Sequence, residues 1–302
     1  MLVLDMEIYF ICYTREVEKL MKITFLGTAA ATAMPLPFCN CNICRTARIL
    51  KGKDIRRRAS IVINDVILID LSPDSINSCY QFDVDLSRIR YILQTHAHSD
   101  HFDAGHFITR HPDYAARDIN PITLIASPKT LHAMNKMLKD EDGNADLFSP
   151  NFQYDLRFSI RTISYNDSYD IDRYVIKAFD SLHDINQESL VFLIQYEDKT
   201  ILYGTDLLGI SESVYKSLEK ERINVLILDQ TYGEGFNAGG HLDAGQLIEI
   251  VDRLRIMGNV TDDTLIFATH ISHEGNDTHE NMLTLAKAHN YNIAYDGLTV
   301  NL

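Results

Sequence analysis

Tyr91-Ile92-Leu93-Gln94-Thr95-His96-Ala97-His98-Ser99-Asp100-His101 is an apolar run that opens into three histidines and an aspartate. The apolar part is typical of a β-strand. Side chains alternate between the two faces of an extended chain, so His96 and His98 are expected to face one metal ion. Asp100 and His101 follow where the chain must turn, and we expect them to face a second ion. Imidazole and carboxylate together suit zinc, manganese or iron(II).

The composition is that of a soluble globular enzyme. The chain has 302 residues, of which 46% are hydrophobic and 23% are charged. It contains no repeat, no linker and no long uncharged apolar stretch, so we predict one domain and no membrane-spanning helix. The formal charge of −14 repels a phosphate backbone. A small-molecule substrate is therefore favoured over nucleic acid. A homodimer is a candidate assembly.

Cysteine usage and the first residues concern location and domain limits. Five cysteines, three of them crowded together, do not resemble a disulfide framework, which favours the reducing cytoplasm. Residues 1–20 lack the basic region and the cleavage site of a signal peptide. Met21–Thr28 is typical of the first strand of a domain and its glycine turn. We therefore predict an upstream start or dispensable arm at residues 1–20 and a single domain at residues 21–302.

Strands and helices alternate along most of the chain. Strands are predicted at Lys22–Leu26, Ser60–Leu71 with a turn at Asn64-Asp65, Tyr91–Gln94, Ile122–Ala126, Phe158–Ile163, Tyr174–Phe179, Leu190–Gln195, Thr200–Tyr203, Val225–Leu228 and Leu265–Ala268. Helices are predicted at Asp74–Tyr80, Lys129–Leu138, Ala244–Arg255 and His279–Ala288, and a solvated loop at Lys139–Asn144. Early hairpins followed by strand and helix alternation indicate an α/β protein, an αββα sandwich of two mixed sheets flanked by helices.

Three further predicted strands end in side chains that bind metals. His183, Asp206 and His270 each lie two to four residues past such a strand. A single histidine in this position is more often a hydrogen-bonded loop residue. Added to the first cluster, however, the three make a set of seven candidate ligands.

The order of these seven residues resembles the metallo-β-lactamase superfamily from Met21 onward. The resemblance implies an αββα sandwich with two divalent ions, zinc, manganese or iron. Asp206 would bridge the two ions, and it stands where true β-lactamases carry cysteine, which points away from antibiotic hydrolysis. Each ion would have three further ligands: His96, His98 and His183 for the first, and Asp100, His101 and His270 for the second.

Two metal ions in this arrangement support hydrolysis. Ions about 3.5–4 Å apart can share a hydroxide and stabilise the charge of a transition state at phosphorus or at an acyl carbon. Asp100 and His241 are the candidate catalytic residues. Asp70, close to a strand end, is either an acceptor for a ligand imidazole or a cap of the strand.

The cysteines at 39, 41 and 44 form a second candidate site. Three thiolates in one loop need one more ligand to complete the tetrahedron that zinc prefers, and His273 is the candidate. We predict a structural zinc held by Cys39, Cys41, Cys44 and His273. This cysteine loop and the closing Tyr295-Asp296-Gly297 resemble the branch that includes a phosphoribosyl 1,2-cyclic phosphate phosphodiesterase. A related loop occurs in a pyrroloquinoline-quinone biosynthesis protein.

His241 follows a glycine-rich loop and precedes a helix, where related phosphodiesterases place a histidine that contacts phosphate or protonates the leaving oxygen. The alternative is a structural loop histidine. Arg56–Arg58 could bind phosphate, although such charge runs are usually solvated.

The leading hypothesis for the function is a hydrolase of small, even cyclic, phosphodiesters. The alternatives are a transfer-RNA 3′-end endonuclease, an oxygen-using enzyme of the quinone-biosynthesis kind, and a binding module without turnover.

Overall fold

The computed structural model describes residues 20–114, 116–236 and 238–302, so all but the last residue of the predicted extension at 1–20 lies outside the described residues. The strands are β1 (Lys22–Gly27), β2 (Ser60–Ile63), β3 (Ile67–Ile69), β4 (Tyr91–Leu93), β5 (Ile122–Ala126), β6 (Phe158–Thr162), β7 (Ser168–Ile171), β8 (Tyr174–Asp180), β9 (Leu190–Tyr196), β10 (Lys199–Gly204), β11 (Val225–Asp229), β12 (Leu265–Thr269), β13 (Asn292–Ile293) and β14 (Thr299–Asn301). The α-helices are α1 (Asn42–Leu50), α2 (Ser75–Gln81), α3 (Ala104–Ile108), α4 (Pro128–Glu141), α5 (Pro150–Asp155), α6 (Glu212–Leu218), α7 (Ala244–Ile256) and α8 (His279–Ala288).

The strands form two mixed sheets of seven strands each. The first has the order β14-β1-β2-β3-β4-β5-β6, and the second has the order β13-β12-β11-β10-β9-β8-β7. In the first sheet β3, β4, β5 and β6 run parallel, and in the second β10, β11, β12 and β13 do. The remaining neighbours pair antiparallel. Each sheet therefore has a parallel half, whose strands end at a common edge.

The alternation of side chains along the strands builds the central core. Ile23 and Phe25 of β1 point between the sheets, where they join Phe192 of β9 and Tyr203 of β10. Leu26, the residue after Phe25, points the other way and belongs to the core on the outer side of its sheet. Burying one such aliphatic or aromatic side chain contributes about 1.5–3 kcal/mol to stability.

Helices cover the outer face of each sheet, which confirms the predicted αββα sandwich. Phe107 of α3 and Leu131 of α4 pack on the outside of the first sheet, and Leu247 of α7 and Met282 of α8 pack on the outside of the second. The longest described helix, α4, has 14 residues. Within the described parts of the chain, none of the helices combines the length and the apolar character needed to cross a bilayer.

Two local predictions are wrong. Lys139–Glu141 are the last turn of α4 rather than part of a loop, because lysine and glutamate are good helix formers on an exposed face. The three cysteines are not confined to one loop, because α1 begins at Asn42 and Cys44 lies in its first turn. The side chain of Cys41 caps this helix by accepting a hydrogen bond from the Cys44 N–H, and cysteine is not among the usual capping residues that mark a helix start in a sequence.

Candidate metal centre

The candidate ligands converge because they follow strands that end at the same edges of the two sheets. The cluster that begins at His96 follows β4, and His183, Asp206 and His270 follow β8, β10 and β12. Asp206 and His270 have φ angles of 50° and 60°. Such left-handed backbone is uncommon outside glycine and costs about 1–3 kcal/mol where it is strained. The surrounding fold imposes it where it turns these side chains into the site.

The first set of ligands is His96, His98, His183 and Asp206. Each offers one ligand atom, and the four atoms lie within 4.8 Å of one another. His98 Nδ1 is 2.9 Å from His96 Nε2 and 3.4 Å from His183 Nε2. Asp206 Oδ1 is 3.5 Å from His183 Nε2. Three imidazoles and a carboxylate oxygen thus surround one point.

The second set is Asp100, His101, Asp206 and His270, again with all four ligand atoms within 4.8 Å. Asp206 Oδ2 lies 2.8 Å from His101 Nε2 and 3.2 Å from His270 Nε2. Asp100 Oδ2 lies 3.1 Å from His101 Nε2. Asp206 therefore presents one oxygen to each set, as a bridging ligand does.

Three buried atoms of the second set lack hydrogen-bond partners in the described chain, as expected for atoms that bind a metal ion. His101 Nε2, His270 Nε2 and Asp206 Oδ2 are buried and make no hydrogen bond with any described residue. Buried polar atoms are otherwise almost always hydrogen-bonded. A divalent cation between them would satisfy all three at once, and the nitrogen and oxygen donors suit zinc, manganese or iron.

Charge at the second set also favours a cation. Burial lowers the pKa of His101, but the carboxylates of Asp206, Asp100 and Asp70 outweigh it and hold that pKa well above its ordinary value. Burial raises the pKa of Asp206, but His101 and His270 outweigh it and hold that pKa well below its usual range. Asp206 therefore stays ionised between the two ligand sets, where a metal ion would neutralise its charge.

Asp70 fills both roles considered for it. Its Oδ2 accepts a hydrogen bond from His101 Nδ1 at 2.7 Å, and its Oδ1 accepts one from the Thr95 N–H at 2.8 Å. Gln94 Nε2 donates to Asp70 Oδ1 and to the carbonyl oxygens of His96 and His101. This buried network fixes the ring of His101 so that Nε2 faces the site.

Every other candidate imidazole also has a partner for its second nitrogen, and the sequence did not reveal these partners. Distances are 3.0 Å for His96 Nδ1 to Thr95 Oγ1, 3.2 Å for His98 Nε2 to Asp184 Oδ2, 2.8 Å for His183 Nδ1 to Gly240 O, and 2.8 Å for His270 Nδ1 to Thr231 Oγ1. Asp184 directly follows His183, and Thr231 follows β11 as His270 follows β12, so the strand-end pattern could have indicated both.

His241 lies beside both ligand sets. Its ring centroid is 4.6 Å from that of His183 and 5.2 Å from that of His270. His241 Nδ1 is 3.1 Å from Oδ2 of Asp229, a fully buried carboxylate at the end of β11. Burial lowers the pKa of His241, but this hydrogen bond and the charges of Asp229 and Asp206 raise it above the ordinary value overall.

A cleft of about 210 Å³ opens onto these residues. Its lining combines the ligand sets with two short loop segments and includes no lysine or arginine among the described residues. The lining residues are Ala30, Ala31, Thr32, His98, Asp100, His183, Asp206, Thr231, Tyr232, His241, His270, Ser272 and Glu274.

The cysteine cluster forms a separate site. Single atoms of Cys39, Cys41, Cys44 and His273 lie within 4.8 Å of one another, and Cys41 Sγ is 3.4 Å from His273 Nδ1. The Cys44 N–H and the His273 ring lower the pKa of Cys41 to about 6, whereas burial raises the pKa of Cys44 to about 11. Three sulfurs and one imidazole nitrogen are a donor set of structural zinc sites.

The three arginines considered for phosphate binding are all engaged within the fold. Arg56 is buried and donates to Thr28 Oγ1 and the Ala294 carbonyl. Arg57 and Arg58 pair with Asp296 and Asp74. They hold the loops around the sheets together, and none of them lines the cleft.

Comparison with known proteins identifies a family for the chain. The family model described as "Beta-lactamase superfamily domain" matches residues 66–271. No curated protein shows a significant match to the chain.

Among the solved structures that share the fold, three are similar over nearly the whole chain. A new diphosphatase from the PhnP family is 19% identical, with a TM-score of 0.69 over 94% of this chain and 97% of that chain. Zn(2+)-bound PqqB from Methylobacterium extorquens is 17% identical, with a TM-score of 0.61 over 93% and 100%. Human tRNase Z, short form, is 18% identical, with a TM-score of 0.63 over 92% and 98%. With a family model that covers residues 66–271 and two seven-stranded sheets between helices, the chain belongs to the β-lactamase superfamily and has the metallo-β-lactamase fold.

Proposed function

We propose that this protein is a metal-dependent hydrolase that cleaves a small phosphodiester. The observation that carries the proposal is the position of the His241–Asp229 pair, 3.1 Å apart, beside two ligand sets that share Asp206. This arrangement combines a site for two cations with a histidine that can hold a proton. Hydrolysis of a phosphodiester needs both, because negative charge builds on the phosphate while the leaving oxygen takes up a proton.

Two divalent ions, when bound, would activate a water molecule and neutralise charge on the phosphate oxygens. The protein supplies the frame for them. The five imidazoles are fixed by hydrogen bonds on their outer nitrogens, and Asp206 holds one oxygen toward each set. Because these side chains sit on strand ends rather than on long loops, their geometry is set before a substrate arrives.

His241 is the proposed donor of the proton to the leaving oxygen. Its Nδ1 is held by Asp229, which leaves Nε2 as the ring nitrogen available to the cleft. The carboxylates around it favour the protonated ring. Asp229 therefore acts as a positioning residue that orients the ring and stabilises its charge, while His241 contacts the substrate.

The most direct test is hydrolysis of bis(p-nitrophenyl) phosphate by metal-free protein to which zinc, manganese or iron(II) is added. We expect turnover only with metal, and its loss in Asp206→Asn. His132→Ala serves as the matched control, because His132 is exposed and packs on Phe148 outside the site. Absence of hydrolysis with every metal would contradict the proposal.

Two alternatives are separated by the same preparation. A transfer-RNA 3′-end endonuclease would cut precursor transfer RNA faster than the small diester, although the formal charge of −14 and the lack of lysine or arginine in the described cleft lining argue against it. An oxygen-using enzyme would be active only with iron and would consume oxygen. Either result would replace the proposed function.

A further inference from the structure

A second cavity lies on the outer face of the first sheet, between the strands β3, β4 and β5 and the helices α2 and α3. Its volume is about 160 Å³. The lining consists mostly of aliphatic and aromatic side chains: Leu68, Leu71, Ile76, Leu86, Ile89, Ile92, His106, Phe107, Thr109, Arg110 and Ile122. None of these residues is a candidate metal ligand or lines the cleft at the metal centre. The cavity is therefore a separate site.

The polar side chains at the margin of this cavity already have partners within the protein. Arg110 Nε donates to the Leu156 carbonyl at 3.0 Å. His106 Nε2 lies 2.9 Å from the Pro73 carbonyl oxygen, and the Thr109 hydroxyl donates to the His106 carbonyl. Among the described residues, no buried side-chain atom that lacks a partner belongs to this lining. A buried water molecule needs about two to four polar partners, so the cavity suits an apolar guest better than water.

The size of the cavity indicates how large that guest is. Protein interiors are packed like organic crystals and contain few voids larger than a water molecule. An engineered cavity of about 150 Å³ that is lined by leucine, isoleucine and phenylalanine stays dry and binds benzene. Leu68, Ile92 and Phe107 are buried and give the present cavity a lining of the same kind. Its volume therefore fits a molecule of about the size of benzene or toluene.

A depression in the surface adjoins the cavity. It has a volume of about 530 Å³ and is lined by Ile76, Cys79, Tyr80, Asp83, Val84, Asp85, Leu86 and Ser87. Ile76 and Leu86 line both the depression and the cavity, and each is only partly buried. These two side chains therefore separate the solvent from the apolar interior, and a change of rotamer at either position provides a route of entry.

We propose that this cavity is a binding site for a small uncharged apolar molecule, of the size of a single aromatic ring. Such a molecule leaves water when it enters the cavity and gives up no hydrogen bond, so the hydrophobic effect favours binding. A polar group would lose its hydration without gaining a partner. This site is additional to the proposed hydrolysis and does not depend on it, because the two sites share no lining residue.

Isothermal titration calorimetry of the full chain with toluene tests the site. We expect one toluene to bind per chain and to raise the Tm of the protein. Phenol has a similar size but carries a hydroxyl group, and it should bind at least about tenfold more weakly because a buried hydroxyl without a partner costs affinity. Mild chelation, which would remove metal from the candidate metal centre, should leave toluene binding unchanged.

Introduced tryptophans locate the bound toluene. The chain contains no tryptophan, so the fluorescence of an Ile76→Trp or Leu86→Trp variant comes from the new ring alone. We expect blue-shifted emission in both variants, because the ring enters the apolar space, and we expect toluene binding to be lost. The control is Ile49→Trp, at an exposed position of α1, which should emit at longer wavelength and bind toluene as the wild type does.

Several results would overturn the inference. Absence of toluene binding by the wild type, or phenol binding as tight as that of toluene, would show that the cavity is not an apolar site. Loss of toluene binding on mild chelation would place the toluene at the metal centre instead. Solvent-like emission in both variants, or toluene binding that persists beside a blue-shifted ring, would also contradict the assignment. Failure of the proposed function would appear only in the hydrolysis assay and would leave these expectations unchanged.

Discussion

Asp206 Oδ2 lies 2.8 Å from His101 Nε2, yet neither atom makes a hydrogen bond with any residue of the described chain. Two atoms at this distance without hydrogen-bond geometry, in a buried site, are arranged as ligands of a common ion. The same carboxylate presents Oδ1 to His183 at 3.5 Å. Asp206 is therefore the residue on which both halves of the candidate centre depend.

Replacement of Asp206 by Asn should reduce the stabilisation of the folded protein by metal bound at the candidate centre. A metal ion at 100 times its dissociation constant stabilises the folded state by about 2.7 kcal/mol, so we expect added zinc or manganese to raise the Tm of the metal-free protein by several degrees. In Asp206→Asn the rise should be much smaller. Asp262→Asn, at an exposed position, is the control for differential scanning calorimetry. An equal rise in both variants would show that Asp206 is not a ligand.

Removal of the His241 imidazole should affect substrates according to their leaving group. A p-nitrophenolate departs without a proton, whereas an alkoxide needs one, and general acid catalysis contributes about 10²–10⁴-fold. His241→Ala should therefore slow kcat for an alkyl phosphodiester by this factor and slow kcat for bis(p-nitrophenyl) phosphate much less. Equal losses on both substrates would identify His241 as a binding or structural residue.

Zinc at the cysteine site should stabilise the loop that carries His270. Cys41→Ser keeps an efficient helix cap at the start of α1 but removes one of four ligands. We expect one equivalent of zinc to be lost and the free energy of unfolding to fall by several kcal/mol. Cys79 is a buried thiol in the core on the outer side of the first sheet and is not a candidate zinc ligand. The Cys79→Ala variant should therefore retain the zinc. Unchanged zinc content in Cys41→Ser would refute the assignment.

His279 should make the fold sensitive to acid. Burial, together with the Arg56 guanidinium 3.0 Å away and Lys53, lowers the pKa of His279 to about 4, against about 6.5 in the unfolded chain. The unfolded state therefore binds the proton first, so the stabilisation is complete above pH 6.5 and is lost as the pH falls toward 4.

We expect this residue to account for about 2–3 kcal/mol of the loss of stability between these pH values. His279→Asn cannot be protonated and keeps an acceptor for Arg56, so its unfolding free energy, measured by urea titration, should fall less steeply in this range. His132→Asn, at an exposed site, should follow the wild type. A wild-type slope in His279→Asn would show that another group is responsible.

The sequence predicted the sandwich and the position of most long strands because alternation and strand-end histidines are local patterns. Ile23 and Phe25 show the alternation that fills the space between the sheets. Elements without such patterns were not predicted. The helix α1 is capped by Cys41, and the short edge strands β13 and β14 depend on pairing with distant partners.

The sequence predicted the candidate ligands of the site but not the residues that hydrogen-bond to the outer nitrogens of their imidazole rings. The seven ligand-type residues lie in two sets that share Asp206, as the family resemblance implied. The partners of their outer nitrogens depend on tertiary contacts. Asp184 lies beside His183 at a predicted strand end, but its contact with His98 joins residues 86 positions apart. Gly240 accepts a hydrogen bond from His183 through its backbone carbonyl oxygen, which no side-chain pattern can indicate.

The account as a whole is tested most directly by counting metal ions in the purified full chain by inductively coupled plasma mass spectrometry while following hydrolysis of bis(p-nitrophenyl) phosphate. We predict three divalent ions per chain. Two should be removed by mild chelation together with all activity, and both should return on addition of metal, while one zinc resists. A single ion per chain, or hydrolysis that survives loss of the two labile ions, would contradict the two-metal centre.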